Sequence, residues 1–233
     1  MNTVQKRNNI KSILLKFLPG YGWKALIIMY TINVLVYNGS RFLTQNRHHY
    51  LLDFSLDKMI PFVAEFVIVY IPIAYLQWII GFITIGRARK DICYQVISGE
   101  IISKLMCLAF FLIFPTTLIR PEISGNDFFS EFVKWVYRMD TPDNLLPSVH
   151  CLESWVVTRG CFKIKSLPKW VNPLNVIITI LVFLSTVFIK QHLIIDVVMG
   201  VLVAEAGQLI MKYVMKKIKA HDNAKLKKEV PMS

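Results

Sequence analysis

His192 and Asp196 stand four residues apart, the spacing that puts two side chains on one face of a helix. A carboxylate so placed can accept a proton from one imidazole nitrogen, fix the tautomer and leave the other nitrogen free as a nucleophile. A second histidine, His150, ends the run Pro147-Ser148-Val149-His150 and comes from a different element, where it could act as general acid on a leaving oxygen. Arg120 supplies a planar fork suited to phosphate oxygens, and Ser148 with the first amides of the helix behind it supplies neutral donors. Lys190, two residues before His192, is a further candidate cation. This set suits phosphoryl transfer through a phosphohistidine, with His192, His150 and Asp196 catalytic and Arg120, Ser148 and Lys190 binding phosphate. The barrier would fall through positioning and charge neutralisation.

The elements that must hold these residues are apolar. The chain has 233 residues, of which 55% are hydrophobic and 18% charged, and its mean hydropathy is +0.48. A water-soluble globule is excluded on that balance. The net charge of +12 arises from 27 Lys and Arg against 15 Asp and Glu, but the basic residues sit in clumps between long apolar runs instead of covering a polar face. That pattern indicates a membrane protein with no nucleic-acid partner. Gly and Pro number 10 each, too few for collagen or disorder, and the apolar runs are too long and charge-poor for a coiled coil. Cys93, Cys107, Cys151 and Cys161 are scattered with no paired spacing, so they read as packing residues.

Windows of about 20 apolar residues mark the crossings. They are predicted over Trp23–Tyr37, Ile60–Ile85 (kinked by Pro61 and Pro72), Ile101–Ile119, Val171–Ile189 and His192–Val214. A shorter fourth window, Pro147–Lys165, is broken by His150, Glu153 and Arg159. Charge decides whether it crosses. With six spans, nineteen basic residues fall on one side: Lys6 to Lys24, Arg87 to Lys90, Arg159 to Lys169 and the seven lysines from Lys212 onward. Seven fall on the other, and Lys104 lies within a span. Without the fourth crossing the C-terminal lysines would change sides, so six spans with both termini cytoplasmic is the expected topology. All the candidate site residues then gather at the extracytoplasmic rim.

The expected fold is thus an all-α integral membrane bundle of six transmembrane helices forming one domain, 1–233. Residues 1–21 form an amphipathic cytoplasmic lead, with Ile10, Ile13, Leu14, Phe17 and Leu18 on one stripe, and 220–233 form a basic cytoplasmic tail. A second amphipathic helix is predicted in the outer loop between spans three and four, where Phe128, Phe129, Phe132, Trp135, Val136 and Met139 share a stripe. Glu65 and Lys104 are placed for a buried pair. Asp140 and Asn144 are expected to shape the turn before span four through bonds to the backbone.

These motifs resemble the type 2 phosphatidic acid phosphatase superfamily, whose signatures are K-x6-RP, PSGH and SR-x5-H-x3-D. Here they read Arg120-Pro121, PSVH from Pro147 to His150, and Ser185, His192 and Asp196 at the third spacing. The wording YRMDTPDNLLPSVH is closest to the branch grouped with inositol phosphorylceramide synthases. The resemblance covers 114–198 and implies a six-span enzyme with a histidine nucleophile at His192, oriented by Asp196, and a leaving-group acid at His150. Two family cations are missing, since their positions hold Ile113 and Thr186. The implied activity is hydrolysis of a lipid phosphomonoester or pyrophosphate without metal or cofactor, by a protein whose partners are its lipid phosphate substrate and the bilayer. Transfer of a phospho-headgroup to a lipid alcohol, and a non-catalytic lipid-binding or transport protein, are the other readings. A zinc site built on the two histidines is opposed by Arg120 beside them.

Overall fold

The computed structural model describes residues 17–229. The protein is all-helical, with five helices long and apolar enough to cross a membrane: Gly20–Thr44, Ala64–Arg87, Lys90–Ile113, Val171–Phe188 and Ile194–Asn223. We label the α-helices α1 (Gly20–Thr44), α2 (Ser55–Met59), α3 (Ala74–Arg87), α4 (Lys90–Ile113), α5 (Phe128–Met139), α6 (Val149–Phe162), α7 (Val171–Phe188) and α8 (Ile194–Glu229). A single parallel pair of two-residue strands joins Tyr50–Leu51 (β1) to Thr116–Thr117 (β2) among the described residues. The lead expected over Ile10–Leu18 lies outside them except at its end, where Leu18 is fully buried, and so does the tail beyond Glu229.

Contacts between helix ends give the direction of each. The Tyr21 hydroxyl donates to Ala88 O, so the start of α1 lies beside the end of α3, while Arg47 just beyond α1 reaches Leu112 O at the end of α4. Val63 N donates to Phe188 O, Ser148 N to Asp196 O, and Lys163 Nζ to Gln208 Oε1. α1, α4 and α7 therefore run one way, and α3, α6 and α8 run the other. Basic residues collect at the end where α3, α6 and α8 finish, with Lys219 there 3.9 Å from Asp91. His192, His150 and Arg120 lie at the opposite end.

α6 is the element on which the apolar windows and the structure part. It has 14 residues, about 21 Å of helix against a hydrocarbon thickness of about 30 Å. Nine of its residues are buried, Glu153 and Ser154 among them, because it packs against α3, α4, α7 and α8 together. Its neighbours are other helices, and two of its charged residues meet partners on them. Lys104 Nζ on α4 lies 2.6 Å from Glu153 Oε1 and 3.9 Å from Glu100 Oε1, all three side chains being essentially inaccessible. The expected partner Glu65 is exposed and takes no part.

Other boundaries shift for local reasons. The second apolar window begins as a 3-10 turn, Ala64–Phe66, and widens to a π turn over Val69–Ile73, where Pro72 has no N–H to continue the α ladder. The third helix starts earlier than its window and ends at Ile113, with Pro115 just beyond, so Arg120 sits outside it on an irregular segment. α8 begins at Ile194, leaving His192 in the turn before it. α4 and α8 approach through small residues. A Cβ on Gly207 would meet Ser103 Oγ and Gly99 O, and Ser103 Oγ itself donates to Val203 O at 3.1 Å. Gly207→Leu should lower stability by about 1–3 kcal/mol, read as a fall in unfolding temperature in detergent. An unchanged value would show that these helices separate freely.

Candidate active site

His192 is held by what flanks it. Gln191 N and His192 N both donate to Thr186 O at 3.0 Å, closing the end of α7, and Lys190 takes φ 54° as the left-handed residue of that cap. Lys190 Nζ donates to Asp57 O at 2.9 Å and Ile60 O at 2.6 Å. Asp57 Oδ1 in turn accepts from Ile194 N at 2.8 Å, capping α8. Lys190 and Asp57 thus pin the His192 turn to the 55–60 segment, and Lys190 also lines the smaller cavity described below. Burial lowers the Lys190 pKa, with the Asp57 carboxylate opposing.

Asp196 is fully buried, and its Oδ2 accepts from Leu193 N at 2.9 Å and from His192 Nδ1 at 3.3 Å. A carboxylate bonded to an N–H fixes the proton on Nδ1, and no hydrogen bond to Nε2 is seen among the described residues. The pair forms as the spacing requires, although only Asp196 is helical. Ser148 caps α6, its Oγ accepting from Cys151 N at 3.4 Å and its N–H donating to Asp196 O at 3.0 Å. It is fully buried and lines neither cavity described below, so it joins α6 to α8 instead of facing a ligand. Gly200 makes that approach possible, since Ser148 O occupies the space of its missing Cβ.

His150 opens α6 with its ring centroid 6.4 Å from that of His192. Tyr70 stacks on it at 4.1 Å and 14°, and Trp78, fixed by a 2.8 Å bond from Nε1 to Ser154 Oγ, meets its face at 5.0 Å. The Tyr70 hydroxyl lies 3.4 Å from His150 Nδ1, but parallel rings put it above the imidazole plane, away from the lone pair. His150 Nε2 is buried without a partner. Arg120 Nη1 donates to Asp140 O at 2.7 Å and Tyr137 O at 3.3 Å, Nη2 donates to Gln191 Oε1, and the guanidinium lies 4.4 Å over the Tyr137 ring. Its Nε has no partner. Burial lowers the Arg120 pKa, with Asp140 opposing the shift.

Two cavities meet at His192. One of about 500 Å³ is lined by Arg120, Lys58, Asp53, Asp57, Lys190 and apolar residues; the other, of about 700 Å³, is lined by His150, Glu153, Asp140 and the aromatic rings of Tyr70, Tyr75, Trp78 and Trp135. His192 borders both, Arg120 only the smaller and His150 only the larger. The positions of the missing family cations bear on neither: Ile113 is 77% exposed and Thr186 is fully buried.

Asp140 and Asn144 make side-chain bonds instead of the backbone bonds expected. Asp140 accepts from Tyr37 at 2.6 Å, and Asn144, at φ 54°, donates to Thr44 Oγ1 at 2.9 Å. Gln191, Tyr70, Trp78 and Asp57 complete the site and carry no motif; only the position of Gln191 beside His192 could have drawn notice. No protein-family model, curated protein or solved structure matches the chain.

Proposed function

We propose that the protein is a metal-independent lipid phosphate phosphatase that crosses the membrane six times, α6 included, with both termini cytoplasmic and the His192 end extracytoplasmic. The gathering of basic residues at the end remote from His192 supports that orientation. The observation that carries the chemistry is the placing of His192 between two unlike cavities, with the Arg120 guanidinium, its Nε open, on one side and the second histidine on the other. The phosphoryl group sits toward Arg120 and the lipid lies in the larger, apolar cavity. His192 Nε2 attacks phosphorus, the bond to the lipid oxygen breaks, and that oxygen takes a proton from His150. Water then attacks the N–P bond, giving up a proton to His150 and releasing phosphate and free His192. Asp196 holds the ring and balances its charge through both steps.

Transfer to an alcohol would share the first half, and the smaller cavity, with Asp53, Asp57 and Lys58 in its wall, has room for an acceptor in place of water. Phosphate release from a panel of lipid phosphates by purified protein, with and without added alcohols, separates the two. Activity that persists in chelator is expected, and loss in chelator restored by zinc would favour a metal site. His150→Ala should slow turnover by about 10²–10⁴-fold. With a poor leaving group the first step fails; with an activated aryl phosphate a labelled phosphoenzyme accumulates, because water is no longer deprotonated. Equal labelling of His150→Ala and wild type would count against this role.

A further inference from the structure

Buried polar atoms without a partner are rare enough to call for a ligand or a reason. Among the residues lining the larger cavity, such atoms divide by chemistry and by place. Gln191 Nε2, a donor, and His150 Nε2 flank the nucleophile. They meet the oxygens of the phosphoryl group and of the leaving lipid. Asp143 Oδ1, Asn144 Oδ1 and Glu153 Oε2 are acceptors, of which Asp143 Oδ1 has the Arg41 guanidinium 3.5 Å away. The amide orientation of Asn144 is fixed, since its Nδ2 donates to Thr44 Oγ1, which donates onward to Ser40 O at 2.9 Å.

Glu153 is the best placed of the three. It is 3% exposed and lies one turn along α6 from His150, about 4.5 Å down the axis. Lys104 Nζ holds its Oε1 at 2.6 Å, and Oε2 is left without a partner on a side chain that lines the cavity. Arg41, the one guanidinium in this wall, is already bonded to Tyr37 and Thr141 and lies 3.5 Å from Asp143. A lipid with its scissile oxygen at His150 passes Glu153 within the first few atoms of its backbone. A diacyl ester or an isoprenoid chain brings only acceptors or C–H groups there, which leaves a buried carboxylate oxygen unmatched.

We infer that the substrate is a lipid phosphate carrying a hydrogen-bond donor, a hydroxyl or an ammonium, on the carbon next to its phosphate-bearing carbon, and that Glu153 receives it. The inference rests on the phosphatase reading above. It is tested with purified full-length protein in mixed micelles, comparing oleoyl lysophosphatidate, which has a free hydroxyl, with its 2-deoxy analogue. Sphingosine 1-phosphate serves as the ammonium-bearing arm and dioleoyl phosphatidate as a donor-free lipid. The hydroxyl-bearing lipid should exceed its deoxy partner in kcat/KM by about ten- to a hundredfold. Faster turnover of sphingosine 1-phosphate than of lysophosphatidate assigns the donor as ammonium, and the reverse order assigns it as hydroxyl.

The preference should collapse in Lys104→Met/Glu153→Met, which exchanges the ion pair for apolar side chains of similar size. Should that variant not fold, the wild-type ratio alone decides. Equal rates on the matched pair overturn the inference and leave the phosphatase reading standing. A preference that survives in the double variant removes Glu153 as its source. Phosphate release from none of the four lipids overturns the phosphatase reading and the inference with it.

Discussion

Replacing His192 with alanine is expected to lower phosphate release from a lipid phosphate by about 10⁴-fold or more, the largest single effect on activity. His192 is the one residue that borders both cavities, and its Nε2 is free while Nδ1 is held by a buried carboxylate. No neighbour can take its place. His150 is the nearest imidazole, but it is absent from the wall of the cavity that Arg120 lines. The loss should be in kcat with little change in unfolding temperature, since His192 bonds to Asp196 alone through its side chain. Asp196→Asn supplies a graded comparison. An amide can still accept from Leu193 N, but as easily presents N–H to the ring and favours the wrong tautomer, for a loss of about 10²–10⁴-fold. A His192→Ala protein that releases phosphate at the wild-type rate would end the phosphohistidine mechanism.

Lys104→Met is expected to have the largest effect on stability. It leaves Glu100 and Glu153 facing each other in the bundle interior with no cation, and breaking a buried pair in this way costs about 3–5 kcal/mol. For a chain of this size that is a fall of about 10 °C in unfolding temperature, measurable in detergent. Lys104→Met/Glu153→Met should recover part of the loss, because it removes one of the two facing carboxylates and leaves only Glu100 without its cation. Single and double variants of equal stability would show that the ammonium and the carboxylate are not coupled.

Much of this was legible in residue order. Spacing alone brought His192 to Asp196, and three remote segments, at Arg120, His150 and His192, do meet at one end of the bundle. Identity could not give direction or supply. Lys190 is a cation two residues from His192, and a left-handed turn sends its ammonium to the carbonyls of Asp57 and Ile60. Ser148 belongs to a motif, but its hydroxyl caps its own helix. Glu65 and Lys104 looked like a pair by depth, whereas partner choice depended on which face of α6 turned toward α4. The aromatic wall of His150 was invisible because Tyr70 and Trp78 lie some seventy to eighty positions upstream and share no pattern with it.

The burial of α6 bears on how the protein reaches the membrane. A 14-residue segment carrying Glu153 and Arg159 has little tendency to enter lipid unaided, each charge opposing insertion by about 2.5–3.5 kcal/mol near the centre of a lone helix. Lys104 and Glu205, the partners that neutralise those charges, lie on α4 and α8. Glu205 is therefore made after α6. α6 gains its partner for Arg159 only once α8 has been made, and a chain stopped before α8 lacks both Glu205 and the Asp196 that holds His192.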